Sequence, residues 1–392
     1  MILSLDDVIE EGPIEDTSIV RARVEYHYSK LLIPRSFRRE SIESRRVLHV
    51  GVDSSSRIIA VPHALIVVGS AAASMGSTAN SVAWPRLQGK GLDDGPPFIA
   101  LIPLIDHGGA PASRFILVYD SQAARRGAGY GASRVSRELR VAMENWVLEN
   151  LPNVIESMGR RFPQEGSPVV MLDGPLFMAT PLGYDPNSNG HGVSWRRLME
   201  SRVRAVELLE SMGIPVVGVV KRVENSTILS KTREFVERAS RCVSEADAAA
   251  DLALLYMALR SECGPSGSPI MFTPKISVEY SVEWLPGKIV EYAIIAPSSW
   301  HRYSPRAKIL RIEATRKSLE LLSSMGLDPE TVLAGDTIAR GSQEPATILA
   351  SDRLSKTVSN AVKKALVSSL LRGDVPLTYD ESRWVERLWR TG

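Results

Sequence analysis

The run Val47-Leu-His-Val-Gly-Val-Asp53 is apolar until it ends in an acid, and Pro168-Val-Val-Met-Leu-Asp173 has the same form farther along the chain. Short apolar runs rich in Val and Ile predict buried strands. Small residues follow both acids, three serines after Asp53 and a glycine after Asp173. We therefore predict two buried strands, each of which ends at an aspartate and passes into a loop.

The segments around these strands indicate which kind of sheet they join. Residues 57–61 and 64–71 are β-rich runs with short connections, which predicts an antiparallel meander that begins with the strand of Asp53. Residues 80–97 carry Pro, Gly, Asn and Asp and predict a loop, and residues 98–105 and 115–119 are further strand candidates.

Helices alternate with strands in the next part of the chain. Apolar residues at a 3.6-residue period predict a helix over residues 133–151, followed by the strand of Asp173, a helix over 195–212 and a strand over 214–221. Such alternation is typical of a parallel half-sheet with right-handed crossovers. Together with the meander it predicts an α/β fold with an RNase H-like mixed sheet.

The chain divides into three predicted parts. Residues 1–44 are expected to form an N-terminal helical or dimerisation segment outside the main sheet, residues 45–372 the main domain with insertions, and residues 373–392 a tail. Within the later part we predict helices near 246–261, 316–325 and 351–371, and a strand pair at 288–295 and 307–313.

Composition indicates an ordinary globular protein. Of its 392 residues, 44% are hydrophobic and 23% charged, and the net charge of +2 does not describe a general polyanion binder. Two cysteines, Cys242 and Cys263, are too few for a zinc cluster or a disulfide scaffold. Acids near Met1 and the lack of an apolar run of about 18 residues argue against a secretory signal and a membrane span. We expect a cytoplasmic protein.

The two strand-terminal aspartates are the first candidates for chemistry. Ligand sites of α/β sheets collect at the carboxyl ends of strands, so Asp53 and Asp173 should share a crevice if their strands are neighbours. Carboxylate oxygens suit Mg²⁺ or Mn²⁺, and a pair of such ions roughly 4 Å apart can drive phosphodiester hydrolysis. The structural alternative is that each aspartate only caps a turn or a helix.

The helix predicted over residues 133–151 offers a third acid. At about 100° per residue, Glu138 and Glu149 flank its apolar stripe, whereas Glu144 falls near the opposite, solvent side. We choose Glu138, near the start of the helix, as the third ligand. The alternative is a solvated glutamate that pairs with a nearby arginine.

Candidate nucleic-acid contacts lie near a glycine-rich segment. Arg125, Arg126 and Tyr130 could bind phosphates and stack on a base, and the alternative, which the residues favour, is a solvated loop. We add Lys221, at the end of a predicted strand, to these candidates. The chain has no G-x-x-x-x-G-K-[ST] motif, so any ATP-driven movement must come from a partner, and it lacks the paired phosphate loops of sugar or acetate kinases.

Six motifs, in this order, resemble those of the archaeal NurA nucleases. They are Gly51-Val-Asp53-Ser-Ser, Arg137-Glu138-Leu-Arg, Leu172-Asp173-Gly-Pro-Leu, Val216-Val-Gly-Val-Val-Lys221, Arg311-Ile-Glu313 and Ala350-Ser-Asp-Arg-Leu-Ser-Lys, within residues 45–365. The resemblance implies a manganese-dependent, or magnesium-dependent, nuclease that forms a homodimer. It implies single-strand endonuclease and 5'-3' exonuclease activity at DNA ends, beside a HerA-type hexameric ATPase in double-strand-break end resection. Asp53, Glu138 and Asp173 correspond to the metal-binding acids of the family.

The chain departs from the family at two positions near its last predicted helix. Glu344 and Asp352 stand where the family has a tyrosine and a histidine. Both acids can bind a metal or act as bases, so we include them among the catalytic candidates. A second hypothesis is a catalytically impaired subunit that binds DNA or the ATPase without cutting. A structural alternative for Asp352 is that it caps a helix beginning near Ser351.

Overall fold

The computed structural model describes residues 19–25, 32–35, 47–75, 81–86, 95–104, 115–119, 128–161, 166–178, 195–224, 226–239, 250–262, 270–295, 308–337 and 342–378. Within these ranges the chain is a mixed α/β protein in which thirteen strands join one sheet. The strands are β1 (Ile19–Val24), β2 (Ile33–Arg35), β3 (Val47–Val61), β4 (Ala64–Ser74), β5 (Ser81–Trp84), β6 (Ile99–Pro103), β7 (Ile116–Val118), β8 (Ser167–Asp173), β9 (Val216–Val220), β10 (Ile270–Phe272), β11 (Ile276–Tyr280), β12 (Lys288–Ile295) and β13 (Lys308–Ala314).

The helices are α1 (Ala128–Arg161), α2 (Trp195–Ser211), α3 (Arg233–Ala239), α4 (Asp251–Glu262), α5 (Arg316–Ser324), α6 (Pro329–Asp336) and α7 (Ala346–Arg372). The helix predicted over 133–151 is therefore longer at both ends, and α7 starts before the predicted residue 351. Among the described helices, none is both long and apolar enough to cross a membrane.

The centre of the sheet has the order β6-β4-β3-β8-β9. β3 pairs antiparallel with β4, which in turn pairs antiparallel with β6, whereas β3, β8 and β9 run parallel to one another. The predicted combination of an antiparallel meander and a parallel half is thus present in the described part of the chain.

β3 is longer than its sequence predicted. The runs 47–53 and 57–61 form one strand, because the three serines between them pair with β4 rather than turning the chain. β8, however, pairs with β3 only as far as Val52. From Asp53 onward, β3 is therefore no longer paired with β8. This leaves an opening in the sheet beside Asp53, next to the end of β8.

Helices cover both faces of the central strands. Ser54 and Ser55 are adjacent on β3 and point to opposite faces. Ser54 hydrogen-bonds to α1, whereas Ser55 accepts a bond from Ser359 on α7. α7 approaches β3 so closely that a Cβ on Gly51 would lie 2.4 Å from the backbone of Thr347. A glycine at position 51 is therefore what brings the first turns of α7 over the strand of Asp53.

The rest of the sheet extends from β9 through β13, β12 and β11 to β1. The predicted strand pair at 288–295 and 307–313 is present as β12 and β13. The prediction of a helical N-terminal segment outside the sheet is wrong for its described residues, since β1 pairs with β11 and β2 with β10. β5 lies within the segment predicted to be a loop, and it pairs with the buried β4.

Candidate metal centre

Three aspartates from three separate elements meet at the opening beside β3. Asp53 comes from β3, Asp173 is the last residue of β8, and Asp352 lies on α7. One carboxylate oxygen from each lies within 4.8 Å of the other two, and this is the one such group among the described residues. The structure therefore places the two predicted strand-end acids together and adds Asp352 to them.

The sheet and α7 explain this convergence. β8 runs parallel to β3, and its last residue paired with β3 is Leu172, directly before Asp173. The Asp173 carboxylate therefore lies beside Asp53. Asp352 reaches the two other aspartates from the face of the sheet that α7 covers, because Gly51 lets α7 pack directly on β3. α7 begins at Ala346 after Pro345, so Asp352 lies inside the helix, and the helix-cap alternative is wrong.

Asp53 is the most deeply buried member of the group, with 2% of its surface exposed. Its Oδ1 accepts the Ser54 N–H at 2.7 Å, whereas its Oδ2 is buried without a hydrogen-bond partner. Burial, and next the charge of Asp173, raise the pKa of Asp53 well above its usual value, although the Arg140 guanidinium opposes this. An ionised Asp53 is therefore costly here unless a cation is close to it.

Asp173 has a cation as its immediate neighbour. The Lys221 ammonium lies 2.6 Å from Asp173 Oδ2 and 3.7 Å from Glu344 Oε2. Burial raises the pKa of Asp173, an effect that Lys221 opposes and Asp352 reinforces. Lys221, predicted as a DNA contact, thus lies inside the acidic group, and Glu344 is held by both Lys221 and Lys308.

Glu138 does not lie with the aspartates. Its carboxylate accepts the Tyr119 hydroxyl at 3.1 Å and Arg134 Nε at 3.0 Å, so it is fully engaged at the β7 side of α1. Burial raises its pKa, against these hydrogen bonds. The choice of Glu138 as the third metal ligand therefore does not agree with its position. Glu138 instead pairs with Arg134, as the alternative of a nearby arginine partner predicted.

Glu144 is the acid of α1 whose charge acts on Asp53, and its predicted exposure to solvent is wrong. It is 6% exposed, accepts the Ser54 hydroxyl, and is paired at 2.6 Å with Arg202 of α2. The single apolar stripe of α1 did not predict that Glu144 is buried, because α2 packs on a second side of α1. A signal was present, since Arg202 lies among apolar residues on the buried face of α2 and needs an acidic partner there.

A buried ion pair also fixes the loop that follows Asp173, which the sequence did not predict. Glu313 of β13 accepts the Leu176 N–H at 2.8 Å and is paired at 2.8 Å with Lys288. Lys288 in turn donates to the Phe177 carbonyl at 3.0 Å. Gly218 lies beneath the same loop, where a Cβ would be 2.9 Å from the Gly174 carbonyl.

The remaining predicted DNA contacts cannot be placed with the site. Arg125 and Arg126 lie outside the described residues. Tyr130 is in the first turn of α1, and its side chain also lies outside the described part of the chain.

Comparison with known proteins gives one family. The sequence model of the NurA domain family matches residues 48–356 of this chain. Among solved structures, the crystal structure of the NurA nuclease from Sulfolobus solfataricus is 11% identical in sequence, and the alignment covers 86% of this chain and 91% of that chain. Its TM-score of 0.39 is too low to support a conclusion by itself. No curated protein sequence matches the chain.

Proposed function

The chain belongs to the NurA domain family, and from this premise we propose that it is a divalent-metal-dependent nuclease that hydrolyses phosphodiester bonds of DNA. The observation that carries the proposal is the convergence of Asp53, Asp173 and Asp352 within 4.8 Å. The order β6-β4-β3-β8-β9, antiparallel on one side of β3 and parallel on the other, supports an RNase H-like interpretation of the sheet.

The three aspartates suit a hard divalent cation. Their donors are all carboxylate oxygens, which Mg²⁺ and Mn²⁺ prefer. The buried Asp53 Oδ2 has no hydrogen-bond partner, and burial, followed by the neighbouring carboxylates, raises the pKa of Asp53, so a bound cation would stabilise the ionised carboxylate. The site therefore fits the metal that the family resemblance implies.

Each group of the site then has a distinct task in hydrolysis. When bound, the ion supplies Lewis acidity toward a phosphate oxygen and lowers the pKa of water. Asp53, Asp173 and Asp352 would hold it from three elements whose positions are fixed by the sheet and by α7. Lys221 adds positive charge that would offset the developing charge of the phosphate. The Glu313–Lys288 pair holds the backbone after Asp173 in place.

Finer features of the proposal come from the family. We propose single-stranded DNA and duplex ends as substrates, with single-strand endonuclease and 5'-3' exonuclease activity, and Mn²⁺ or Mg²⁺ as the ion. We also propose a homodimer in the cytoplasm that works with a HerA-type ATPase in end resection. These statements rest on membership of the NurA domain family, which spans residues 48–356 here.

The direct experiment uses the purified chain with end-labelled single-stranded and duplex DNA, with MnCl₂, MgCl₂ or a chelator. We expect cleavage that requires the ion and that disappears in Asp53→Asn and Asp173→Asn. Lys356→Met is the control variant, because Lys356 pairs with Asp352 from the more exposed side of α7. Cleavage that persists with the chelator, or in both aspartate variants, would refute a metal-dependent mechanism at this site.

A second function remains because of Glu344 and Asp352. Glu344, which stands where the family has a tyrosine, is engaged by Lys221 and Lys308, and an aspartate replaces the family histidine. These substitutions support a subunit that binds DNA without cutting it. Fluorescence anisotropy with labelled DNA, run beside the cleavage assay, separates the two functions, since a non-cutting subunit binds DNA at every metal concentration without product.

A further inference from the structure

Four charged side chains alternate in sign at the edge of the aspartate group. Lys308 of β13 is paired with Glu344, Glu344 lies 3.7 Å from Lys221, and Lys221 lies 2.6 Å from Asp173. The four residues come from separate parts of the fold. Both lysines thus converge on one glutamate, and only Lys221 also contacts an aspartate of the site.

The position of Lys221 resembles that of a bound cation. It follows β9 directly, and its ammonium lies between the carboxylates of Asp173 and Glu344. Its side chain is 21% exposed, so its two carboxylate contacts are only partly screened by water. These are the kinds of ligand, one strand-end carboxylate and one from a neighbouring segment, that a second divalent ion would need.

Glu344 is already committed to this arrangement. Lys308 engages its Oε1 and Lys221 faces its Oε2, and its backbone N–H donates to Ser342 Oγ at 3.2 Å. Each oxygen of Glu344 therefore faces a lysine ammonium, and this arrangement suits Glu344 to set the position of the Lys221 ammonium.

The local charge also limits the number of ions. Lys221 and Lys308 already place two ammonium groups at this edge of the site, where Lys221 pairs with Asp173 and Glu344 and Lys308 pairs with Glu344. A second divalent ion would lie beside the Lys221 ammonium and be repelled.

We propose that Lys221 takes the place of a second metal ion, so that the chain binds a single divalent cation, with Glu344 as the positioning residue of Lys221. This inference rests on the proposed metal site at the three aspartates. It differs from the pair of ions that two strand-end aspartates alone would suggest. It also assigns Glu344 to a positioning function rather than to catalysis.

The experiment counts bound Mn²⁺ per chain by equilibrium dialysis with MnCl₂, followed by metal analysis of the purified protein. The wild type is expected to bind one ion and Lys221→Met two, because the variant frees Asp173 Oδ2 and Glu344 Oε2. The double variant Lys221→Met with Glu344→Gln should return to one ion, since the second loses a carboxylate ligand. Lys356→Met, which removes another lysine paired with a site aspartate but 49% exposed, should stay at one.

Each result supports or overturns the inference. Two ions on the wild type, or one ion on a folded Lys221→Met, overturns it, and two ions on the double variant overturns the part played by Glu344. The wild-type count decides even if Lys221→Met fails to fold, and Lys221→Arg, which keeps the charge, should bind one ion. One bound ion without DNA cleavage leaves the inference standing and refutes the proposed nuclease activity. Two bound ions with cleavage do the reverse, and no bound ion refutes both.

Discussion

Asp53→Asn is expected to stabilise the metal-free protein and to remove its response to metal. Asp53 is 2% exposed, and its Oδ2 has no hydrogen-bond partner. Burial, followed by the charge of Asp173, raises the pKa of Asp53 above its usual value near 3.8. The folded state therefore favours the protonated carboxyl. Its contribution to stability is fully present below that usual value and is lost as the pH rises through the raised pKa.

The magnitude follows from the cost of a buried polar group without a partner, which is about 1–3 kcal/mol and more for a charged group. At pH 7.5 Asp53→Asn removes the part of this cost that comes from the charge, because the amide is neutral. A change of 1 kcal/mol shifts the melting temperature of a domain of 150–250 residues by roughly 2–4 °C, and less in a longer chain. We therefore expect the metal-free variant to melt a few degrees above the wild type.

Metal should reverse this order. A ligand at a concentration 100 times its Kd stabilises the folded state by about 2.7 kcal/mol. The wild type is expected to gain this from MnCl₂, whereas Asp53→Asn should gain little because it lacks a ligand oxygen. Thermal melts at pH 7.5, with and without MnCl₂, measure both effects.

Glu138→Gln is the matched control, because Glu138 is equally buried but its carboxylate is satisfied by Tyr119 and Arg134. It should melt at or below the wild-type temperature and keep the full metal response. The reasoning is wrong if metal-free Asp53→Asn melts below the wild type, or if Asp53→Asn gains as much from MnCl₂ as Glu138→Gln does.

Three further predictions concern the same region. Glu144→Ala leaves Arg202 buried without its acidic partner and should lower the free energy of unfolding by about 3–5 kcal/mol, measured by denaturant titration. Adding Arg202→Met to this variant should recover part of the lost stability. If no stability is recovered, the pairing of Glu144 with Arg202 is contradicted. Asp352→Asn removes a proposed metal ligand and should raise the Mn²⁺ Kd at least tenfold in calorimetry. Even the loss of a group that only hydrogen-bonds to a ligand commonly changes metal affinity about 10–100-fold. An unchanged Kd would exclude Asp352 from the site. Because burial raises the pKa values of Asp53 and Asp173, Mn²⁺ must displace protons, so calorimetric affinity should fall as the pH is lowered from 8 to 5; a flat profile would show that neither carboxylate binds the ion.

The local pattern of the sequence was sufficient for the strands that carry the site. Val47 to Asp53 and Pro168 to Asp173 are apolar runs with a terminal acid, and both lie in buried strands. Such runs are informative because the periodicity of burial is a property of consecutive residues. The same reasoning predicted the parallel half of the sheet, since a helix between two strands favours a crossover.

The serines after Asp53 illustrate where local patterns end. They predict a loop because small polar residues are common in turns. In the fold they continue β3, because β4 supplies their backbone partners and Glu144, Ser359 and Ser136 lie against their hydroxyls. These partners are distant in sequence, so the length of β3 was decided by the packing of helices on both faces of the sheet.

The sequence by itself determined that Asp53 and Asp173 each follow an apolar run that forms buried strand, and that the chain resembles the NurA nucleases. Only the tertiary structure decided which other charged groups join them. Helical periodicity assigns one buried face to α1, but α2 covers a second face and buries Glu144, whereas Glu138 is engaged by Tyr119 and Arg134. Asp352 and the Lys221–Glu344 pair reach Asp173 from elements far along the chain. The physical reason is that a strand or helix is specified by neighbouring residues, whereas the partner of a buried charge is chosen by whatever element the fold packs against it.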